Sequence, residues 1–265
     1  MIDFPIAATK GRGLMGHLST LRTISNSFIN FEVDDAEATS LASWTGHVRY
    51  TPKYGARNTT AETWGLELAP KSSLTAGVNS VRGRERERFS LAGGEVVVYD
   101  CENPADARWA AWLGPWHMVH GLFYAPEWES ADIVDTFSRV TWQDTPEGMT
   151  AAGGKRFDVS MELYAISIAG IGTMTVESKQ ARINRIPKWR GYGAHSGELW
   201  RLPAPPTGAD QATPFLLVTE TAIATLYPWD APGSNRAGIS ARAAAGTAET
   251  AADFLSKVKR VEWRA

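Results

Sequence analysis

The sequence predicts a mainly β fold, an antiparallel sandwich or a barrel-like arrangement with few short helices and one helix at the C-terminus. Short apolar runs recur along the chain, and 24 glycines and 14 prolines punctuate them. Eleven tryptophans are spread among these runs, and large aromatic side chains favour sheet faces and contact surfaces. The 265 residues suit one large β domain or two smaller ones.

The clearest strands show alternation or β-branched runs. Residues 63–68 place three apolar side chains on one face, and residues 95–99 are rich in valine, which indicates a strand buried on both faces. Residues 157–168 alternate strictly at first, and the change of phase predicts a β-bulge near Tyr164 or Ala165. Turn residues at 144–148 and 170–172 predict two hairpins. The other predicted strands cover residues 140–142, 173–176, 215–218 and 222–227.

Three segments suggest helices. Residues 105–113 form a short helical candidate that Gly114 and Pro115 end, and residues 133–140 fit either a helix or a strand. Residues 247–260 carry apolar side chains at helical spacing and basic residues at the end, so we predict the C-terminal helix there.

The proline-rich run at residues 203–208 predicts a division of the chain near residue 203. We expect residues 1–202 to form a β-rich main domain with an N-terminal arm. Residues 203–265 would then hold a proline-rich linker, a β-hairpin and the C-terminal helix. Residues 233–246 are rich in Ala, Gly and Ser, so we interpret them as a mobile connector.

Composition narrows the function classes. The net charge of −2 argues against an electrostatic nucleic-acid binder. The single cysteine, Cys101, indicates folding in a reducing compartment and excludes a disulfide framework. The N-terminal residues do not resemble an export signal and no apolar run is long enough to span a bilayer, so we expect a soluble protein made in the cytosol, without membrane insertion.

Two motifs resemble cofactor or metal sites. Residues 11–16 match G-x-G-x-x-G, with Asp34 and Asp35 downstream, but the surrounding sequence lacks the βαβ alternation of a nucleotide-binding fold. A glycine-rich arm is the alternative interpretation, and a nucleotide-dependent enzyme remains a third hypothesis for the function. His117 and His120 have a spacing that lets two imidazoles share a metal on a helix, but no third ligand is evident. We therefore predict no cofactor and no metal.

Acidic residues near two aromatic residues suggest a carbohydrate-active site. Glycoside hydrolases use two carboxylates beside aromatic platforms, although acids at a helix start are usually solvated. Residues 193–197 do not form a nucleophile elbow, and Cys101 has no local histidine. The sequence favours a protein without catalysis. The acids concerned are Glu127, Glu129, Asp132 and Asp135, beside Tyr124 and Trp128.

Residues 82–88 alternate arginine with glycine or glutamate. On an extended chain this pattern would place the arginines on one side and the glutamates on the other. We weigh a solvated arm, a protected sheet edge and a strand that docks on a neighbouring subunit. The charged residues are Arg82, Arg84, Glu85, Arg86, Glu87 and Arg88.

Residues 140–148, residues 155–159 and the abundant Trp, Gly, Ala and Arg residues carry a family resemblance. The sequence resembles minor tail or tail-tip proteins of long-tailed bacteriophages that infect actinobacteria, and it is similar to the distal-tail type. The resemblance implies a β-rich virion protein that assembles in the host cytoplasm as a ring or trimer. It transfers no catalytic residue.

We therefore predict a structural tail component that contacts copies of itself, other tail proteins and a host-surface glycan. A carbohydrate-binding or carbohydrate-hydrolysing protein is the alternative. The predicted contact residues are the charged residues at 82–88 and five tryptophans. Three of these tryptophans lie in residues 109–116 at helical spacing. The aromatic candidates are Trp109, Trp112, Trp116, Trp128 and Trp142.

Overall fold

The residues that the structure describes form two β-sheets, so the mainly β prediction is confirmed. The computed structural model describes residues 17–33, 44–52, 64–124, 128–152, 157–168, 170–203, 213–228 and 248–265. The strands in these residues are β1 (His17–Arg22), β2 (Phe28–Val33), β3 (Thr45–Pro52), β4 (Trp64–Pro70), β5 (Arg84–Leu91), β6 (Gly94–Asp100), β7 (Ala107–Leu113), β8 (His117–Tyr124), β9 (Thr141–Thr145), β10 (Gly148–Ala152), β11 (Phe157–Ile168), β12 (Gly172–Ser178), β13 (Tyr192–Ala194), β14 (Gly197–Arg201), β15 (Phe215–Val218), β16 (Ala222–Pro228) and β17 (Val258–Arg264).

The helices are short. The sequence left residues 133–140 open between helix and strand, and the structure places a helix over most of them. Within the described ranges the helices are α1 (Leu74–Ser80), α2 (Ser130–Ser138), α3 (Lys179–Arg182) and α4 (Ala248–Ser256), with 3-10 turns at Lys71–Ser73 and Ile183–Arg185.

The larger sheet has twelve antiparallel strands in the order β13-β14-β15-β16-β12-β11-β3-β4-β8-β7-β6-β5. The smaller sheet has five strands in the order β17-β2-β1-β10-β9, in which β1 and β10 pair in parallel at a single register position. Both predicted hairpins are present, as β9–β10 and as β11–β12. We refer to the twelve-stranded sheet as the long sheet and to the five-stranded sheet as the small sheet.

The main core lies between the two sheets. Phe31 and Met149 of the small sheet and Trp112, Tyr164 and Leu217 of the long sheet belong to one buried cluster. Burial of such apolar side chains contributes about 25 cal/mol per Å² removed from water. The core therefore holds the two sheets together.

Hydrogen bonds from turns of the long sheet close both edges of the small sheet. The Thr219 hydroxyl donates to the Val261 carbonyl at 2.8 Å, and the Trp263 amide donates to the Thr221 hydroxyl at 3.0 Å. At the other edge the Asp144 carboxylate accepts from the backbone amides of Trp116 and His117 at 2.7 and 2.9 Å. The first two bonds satisfy backbone groups of β17 that an open edge would expose, and Asp144 of β9 satisfies two amides at the β7–β8 turn.

Two segments differ from the sequence prediction. Residues 107–113 form strand β7 rather than a helix. Both faces of this strand are buried, one in the core between the two sheets and the other under helix α1, so no alternation marks it in the sequence. The C-terminal helix ends at Ser256, and β17 follows it. A β-bulge between Val258 and Arg260 sets buried Val258 and Val261 three residues apart, which imitates helical spacing.

The predicted bulge in β11 occurs earlier than expected. The register of β11 against β3 shifts between Val159 and Met161, and not at Tyr164 or Ala165. From Tyr164 onward the buried side chains are regularly spaced at Tyr164, Ile166 and Ile168. The Tyr164 hydroxyl accepts from the Ile24 amide at 2.6 Å, so this strand also anchors the small sheet.

Strands from beyond residue 203 belong to both sheets. β15 and β16 lie between β14 and β12 of the long sheet, and β17 pairs with β2 of the small sheet. The division of the chain near residue 203 stays a prediction. The connector predicted at residues 233–246 lies outside the described residues.

Two smaller clusters lie on the outer face of the long sheet, away from the small sheet. One contains Trp109 and is covered by Leu74 and Val78 of helix α1. The other contains Trp200 and is covered by Ile186. The two clusters lie toward opposite ends of the strand order.

Candidate interaction surface

Three of the tryptophans predicted to make contacts are core residues. Trp109, Trp112 and Trp142 are buried, and the rings of Trp112 and Trp142 stack across the two sheets with centroids 5.6 Å apart. Because residues 107–113 form a strand, Trp109 and Trp112 lie on opposite faces of the sheet instead of sharing a helical face. The prediction that these three indoles form a contact surface is wrong.

The other two predicted tryptophans are more accessible. Trp116 lies in the β7–β8 turn and is half exposed. Trp128 is partly buried, with its ring 5.4 Å from that of Phe123 in an edge-to-face arrangement. Both stay candidates for contact.

The charged run at residues 82–88 lies at the edge of the long sheet, largely in strand β5. A β-bulge between Glu85 and Glu87 breaks the expected alternation. Glu85 and Arg88 therefore lie close enough to pair at 2.9 Å, and the predicted separation of arginines from glutamates onto two sides is wrong. This hydrogen bond lowers the pKa of Glu85.

Further ion pairs neutralise charges on the same edge strand. Arg88 also pairs with Glu95 at 2.6 Å, and Arg86 pairs with Asp100 at 3.3 Å. A bulged, charged edge strand discourages uncontrolled strand pairing. The structure thus agrees with the protected-edge interpretation of β5, and subunit docking through β5 stays a prediction.

The predicted histidine pair is split between two faces of β8. His120 stacks on Trp109 with ring centroids 5.0 Å apart, whereas His117 bonds Asp144 at 2.6 Å on the side of the small sheet. Helical spacing does not apply to a strand, so the two imidazoles do not converge. In the part of the chain that the structure describes, no group of three or more His, Cys, Asp or Glu side chains is placed to hold a metal ion.

The predicted carboxylates serve helix α2. Asp132 accepts from the Glu129 amide at 3.1 Å, which stabilises the start of the helix, and Asp135 pairs with Arg139. Glu127 lies outside the described residues. These contacts favour the interpretation as helix-start acids over a pair of catalytic acids.

The remaining motifs have simple placements. Residues 11–16, Asp34 and Asp35 lie outside the described residues. Residues 193–197 span the end of β13, the turn at residues 195–196 and the first residue of β14. Cys101 is buried, and its burial raises the pKa of the thiol, which disfavours the reactive thiolate.

Sequence reasoning missed a surface segment at residues 179–192, which we call the strap. It comprises α3, the 3-10 turn Ile183–Arg185, the following loop and the first residue of β13. It contains five cationic side chains and no acidic one. The cations are Lys179, Arg182, Arg185, Lys188 and Arg190.

Trp200 fixes the end of the strap. Its indole N–H donates to the Trp189 carbonyl at 2.9 Å, and the strap backbone at Gly191 lies directly against the ring. A Cβ at Gly191 would be 2.7 Å from the indole, so glycine permits this close approach. The backbone that carries Trp189 is thereby held against the sheet.

Glu177 fixes the beginning of the strap. Its buried carboxylate accepts from Arg182 at 2.5 Å and from Arg185 at 3.1 Å. The Lys179 ammonium donates to the Thr219 carbonyl at 3.0 Å. One carboxylate thus serves two guanidinium groups, which leaves the strap with excess positive charge.

The strap exposes its aromatic side chains. Trp189 is 62% exposed and Tyr192 is 79% exposed. Lys188 and Arg190 flank Trp189, are exposed, and form no ion pair with a described residue. The sequence signal that would have found this surface is a run of cations without any acid.

No protein-family model, no curated protein and no solved structure matches this chain. Among the described residues, no helix has both the length and the apolar character needed to cross a membrane.

Proposed function

We propose that this chain is a structural component of a bacteriophage tail or tail tip. The support is the resemblance carried by residues 140–148 and 155–159, together with the β-rich fold. In this proposal the protein assembles in the host cytoplasm, resides in the virion tail and associates with copies of itself and with other tail proteins. It binds no nucleic acid, does not insert into membranes and performs no catalysis.

The observation that carries the association is the exposure of Trp189 and Tyr192 beside arginines on the strap. Trp, Tyr and Arg dominate the binding energy of protein interfaces. The bond that Trp200 donates to the Trp189 carbonyl and the bond that Glu177 accepts from Arg182 hold the strap in place before any partner binds. Binding therefore costs less conformational entropy than it would for a mobile segment. The strap therefore has the composition and the rigidity of a contact surface.

Electron microscopy and native mass spectrometry of the purified wild-type protein test the proposed self-association. We expect rings or trimers that become more abundant as the protein concentration rises. A protein that stays monomeric at high concentration would contradict the proposal.

Glycan binding is the second candidate function, favoured by the same exposed aromatic rings. Sugar rings stack on the faces of Trp and Tyr side chains. A glycan array probed with wild type and with Trp189→Ala tests it, with Trp116→Ala as the control because Trp116 lies outside the strap. Loss of a glycan signal only in Trp189→Ala would support this function, and the absence of any wild-type signal would count against it.

A further inference from the structure

We infer that the strap of one copy binds the opposite end of the long sheet in a second copy. The target, which we call the acidic end, is defined by Glu102 and Asp106 in the β6–β7 connection and by Asp132 of helix α2. This inference rests on the proposed function, because it names the surface through which the chain associates with itself.

Charge is segregated between the strap and the rest of the chain. The strap holds five of the 27 basic residues and none of the 29 acidic ones. The remainder therefore carries 22 basic and 29 acidic side chains, a net charge of −7 compared with +5 for the strap. Complementary charge steers association and sets its specificity, so a second copy is a favourable partner for the strap.

Unpaired charges are present on both surfaces. Lys188 and Arg190 form no ion pair with a described residue. On the acidic end, Glu102, Asp106 and Asp132 are exposed and likewise form no ion pair with a described residue. Ion pairing between copies would therefore not have to break existing pairs within either copy.

Arg108 links the two parts of the acidic end. Its guanidinium is 3.8 Å from Asp100, at the start of the β6–β7 connection, and 3.9 Å from Glu129, which precedes α2. The connection and the start of the helix therefore lie side by side. Arg86 also pairs with Asp100.

Apolar side chains accompany the charges at both surfaces. Trp189 and Tyr192 project from the strap, and Tyr124 is 57% exposed at the end of β8. Tyr124 pairs in register with Ala107, the residue after Asp106, so it borders the acidic end. An apolar centre with a charged rim is typical of protein interfaces.

The positions of the two surfaces determine the type of assembly. The strap covers strands near β13, and the acidic end lies beside β6 and β7 near the other edge of the long sheet. If each copy donates its strap to one neighbour and receives the strap of another, the contact is heterologous, and heterologous contacts generate closed rings or open filaments. A ring built in this way agrees with the proposed self-association.

Two charge-reversed double variants test this inference, Lys188→Glu with Arg190→Glu on the strap and Glu102→Lys with Asp106→Lys on the acidic end. Each variant alone should associate at least about tenfold more weakly than wild type, because like charges would then face each other. An equimolar mixture should recover association, because each reversed surface meets a complementary one. Sedimentation velocity at low salt measures all three samples.

Arg260→Glu with Arg264→Glu is the control, because it makes the same change in net charge on exposed positions of strand β17 in the small sheet, outside both surfaces. It should associate like wild type, and circular dichroism should show that every variant is folded. If the strap variant associates like wild type, or if the mixture fails to recover association, the inference is overturned while the proposed self-association stands. A monomeric wild type would instead overturn the proposed self-association and this inference together.

Discussion

The two ends of the long sheet bury a tryptophan in the same way but differ in what covers it. At one end Trp109 lies under helix α1, where a Cβ on Gly77 would be 3.1 Å from the indole. At the other end Trp200 lies under the strap, against Gly191. Each cover completes a small hydrophobic cluster on a sheet face that would otherwise be exposed. Packing alone therefore does not distinguish a structural cover from a contact surface.

Charge compensation does distinguish them. The edge strand β5 next to the Trp109 cluster is densely charged, but it contains the acids Glu85 and Glu87 as well as arginines, and Arg86 and Arg88 pair with acids of the same copy. The strap has five cations and no acid, and Glu177 pairs with only two of the cations. Net charge, rather than charge density, marks the candidate interface.

Replacement of either buried tryptophan should have the largest effect on stability. We expect Trp109→Ala and Trp200→Ala each to lower the free energy of unfolding by about 3–5 kcal/mol, because both leave a cavity. Urea unfolding at a concentration where the protein is monomeric measures this. Trp200→Ala should also weaken self-association, because the strap loses its support.

Trp189→Ala is the matched control on the strap. Its side chain is mostly exposed, so its unfolding free energy should stay within about 0.5 kcal/mol of wild type. A Trp200→Ala variant as stable as this control would show that the strap does not depend on Trp200.

Gly191, near the end of the strap, and Gly193, just beyond it, allow a comparison with a smaller expected effect on stability. Gly191→Ala should cost about 1–3 kcal/mol, because the new methyl group would overlap the Trp200 ring and displace the strap. Gly193→Ala places its methyl group where no atom lies within 4 Å, so it should cost little. Chemical unfolding and sedimentation of both variants measure the difference, and equal effects would contradict the tight packing of the strap.

The stability of the long sheet at the Trp109 end should depend on pH. Burial lowers the pKa of His120, although the nearby Glu67 carboxylate opposes this. As the pH falls below about 6.5, the ordinary value for histidine, the unfolded chain binds the proton first. This contribution to stability is therefore present at neutral pH and is lost on acidification.

His120→Gln should accordingly flatten the loss of unfolding free energy between neutral and mildly acidic pH. His195→Gln serves as the control because His195 is exposed in the β13–β14 turn. Thermal unfolding across this pH range measures both variants. Parallel curves for wild type and His120→Gln would refute the effect of burial.

The ion pairs of β5 should contribute least to the free energy of unfolding. A double-mutant cycle on Glu85 and Arg88 should give a coupling of about 0.2–1 kcal/mol, because both side chains are substantially exposed. The coupling should decrease as salt is added. A coupling of several kcal/mol would mean that this edge is more rigid than its exposure indicates.

Much of the strand pattern was predictable from sequence. Alternation in residues 157–168 and the turn glycines Gly148 and Gly170, both with positive φ, identify a strand and two hairpins that the structure confirms. Apolar periodicity does not identify a strand whose two faces are both buried. β7 is buried on both faces, so Trp109 and Trp112 appear at a helical spacing although they point in opposite directions.

The candidate site was harder to predict. The alternating charges at residues 82–88 are conspicuous, but their compensation depends on a bulge and on acids from β6 that the sequence does not place. The excess charge of the strap is visible in the sequence. Its rigidity is not, because it depends on Trp200 and Glu177 lying beneath it in the folded chain.

Amide hydrogen exchange at concentrations below and above self-association locates the contact surface on the chain. Association should slow exchange in the strap, at residues 179–192, and leave strand β5 unchanged. Slower exchange in β5 with no change in the strap would contradict this prediction.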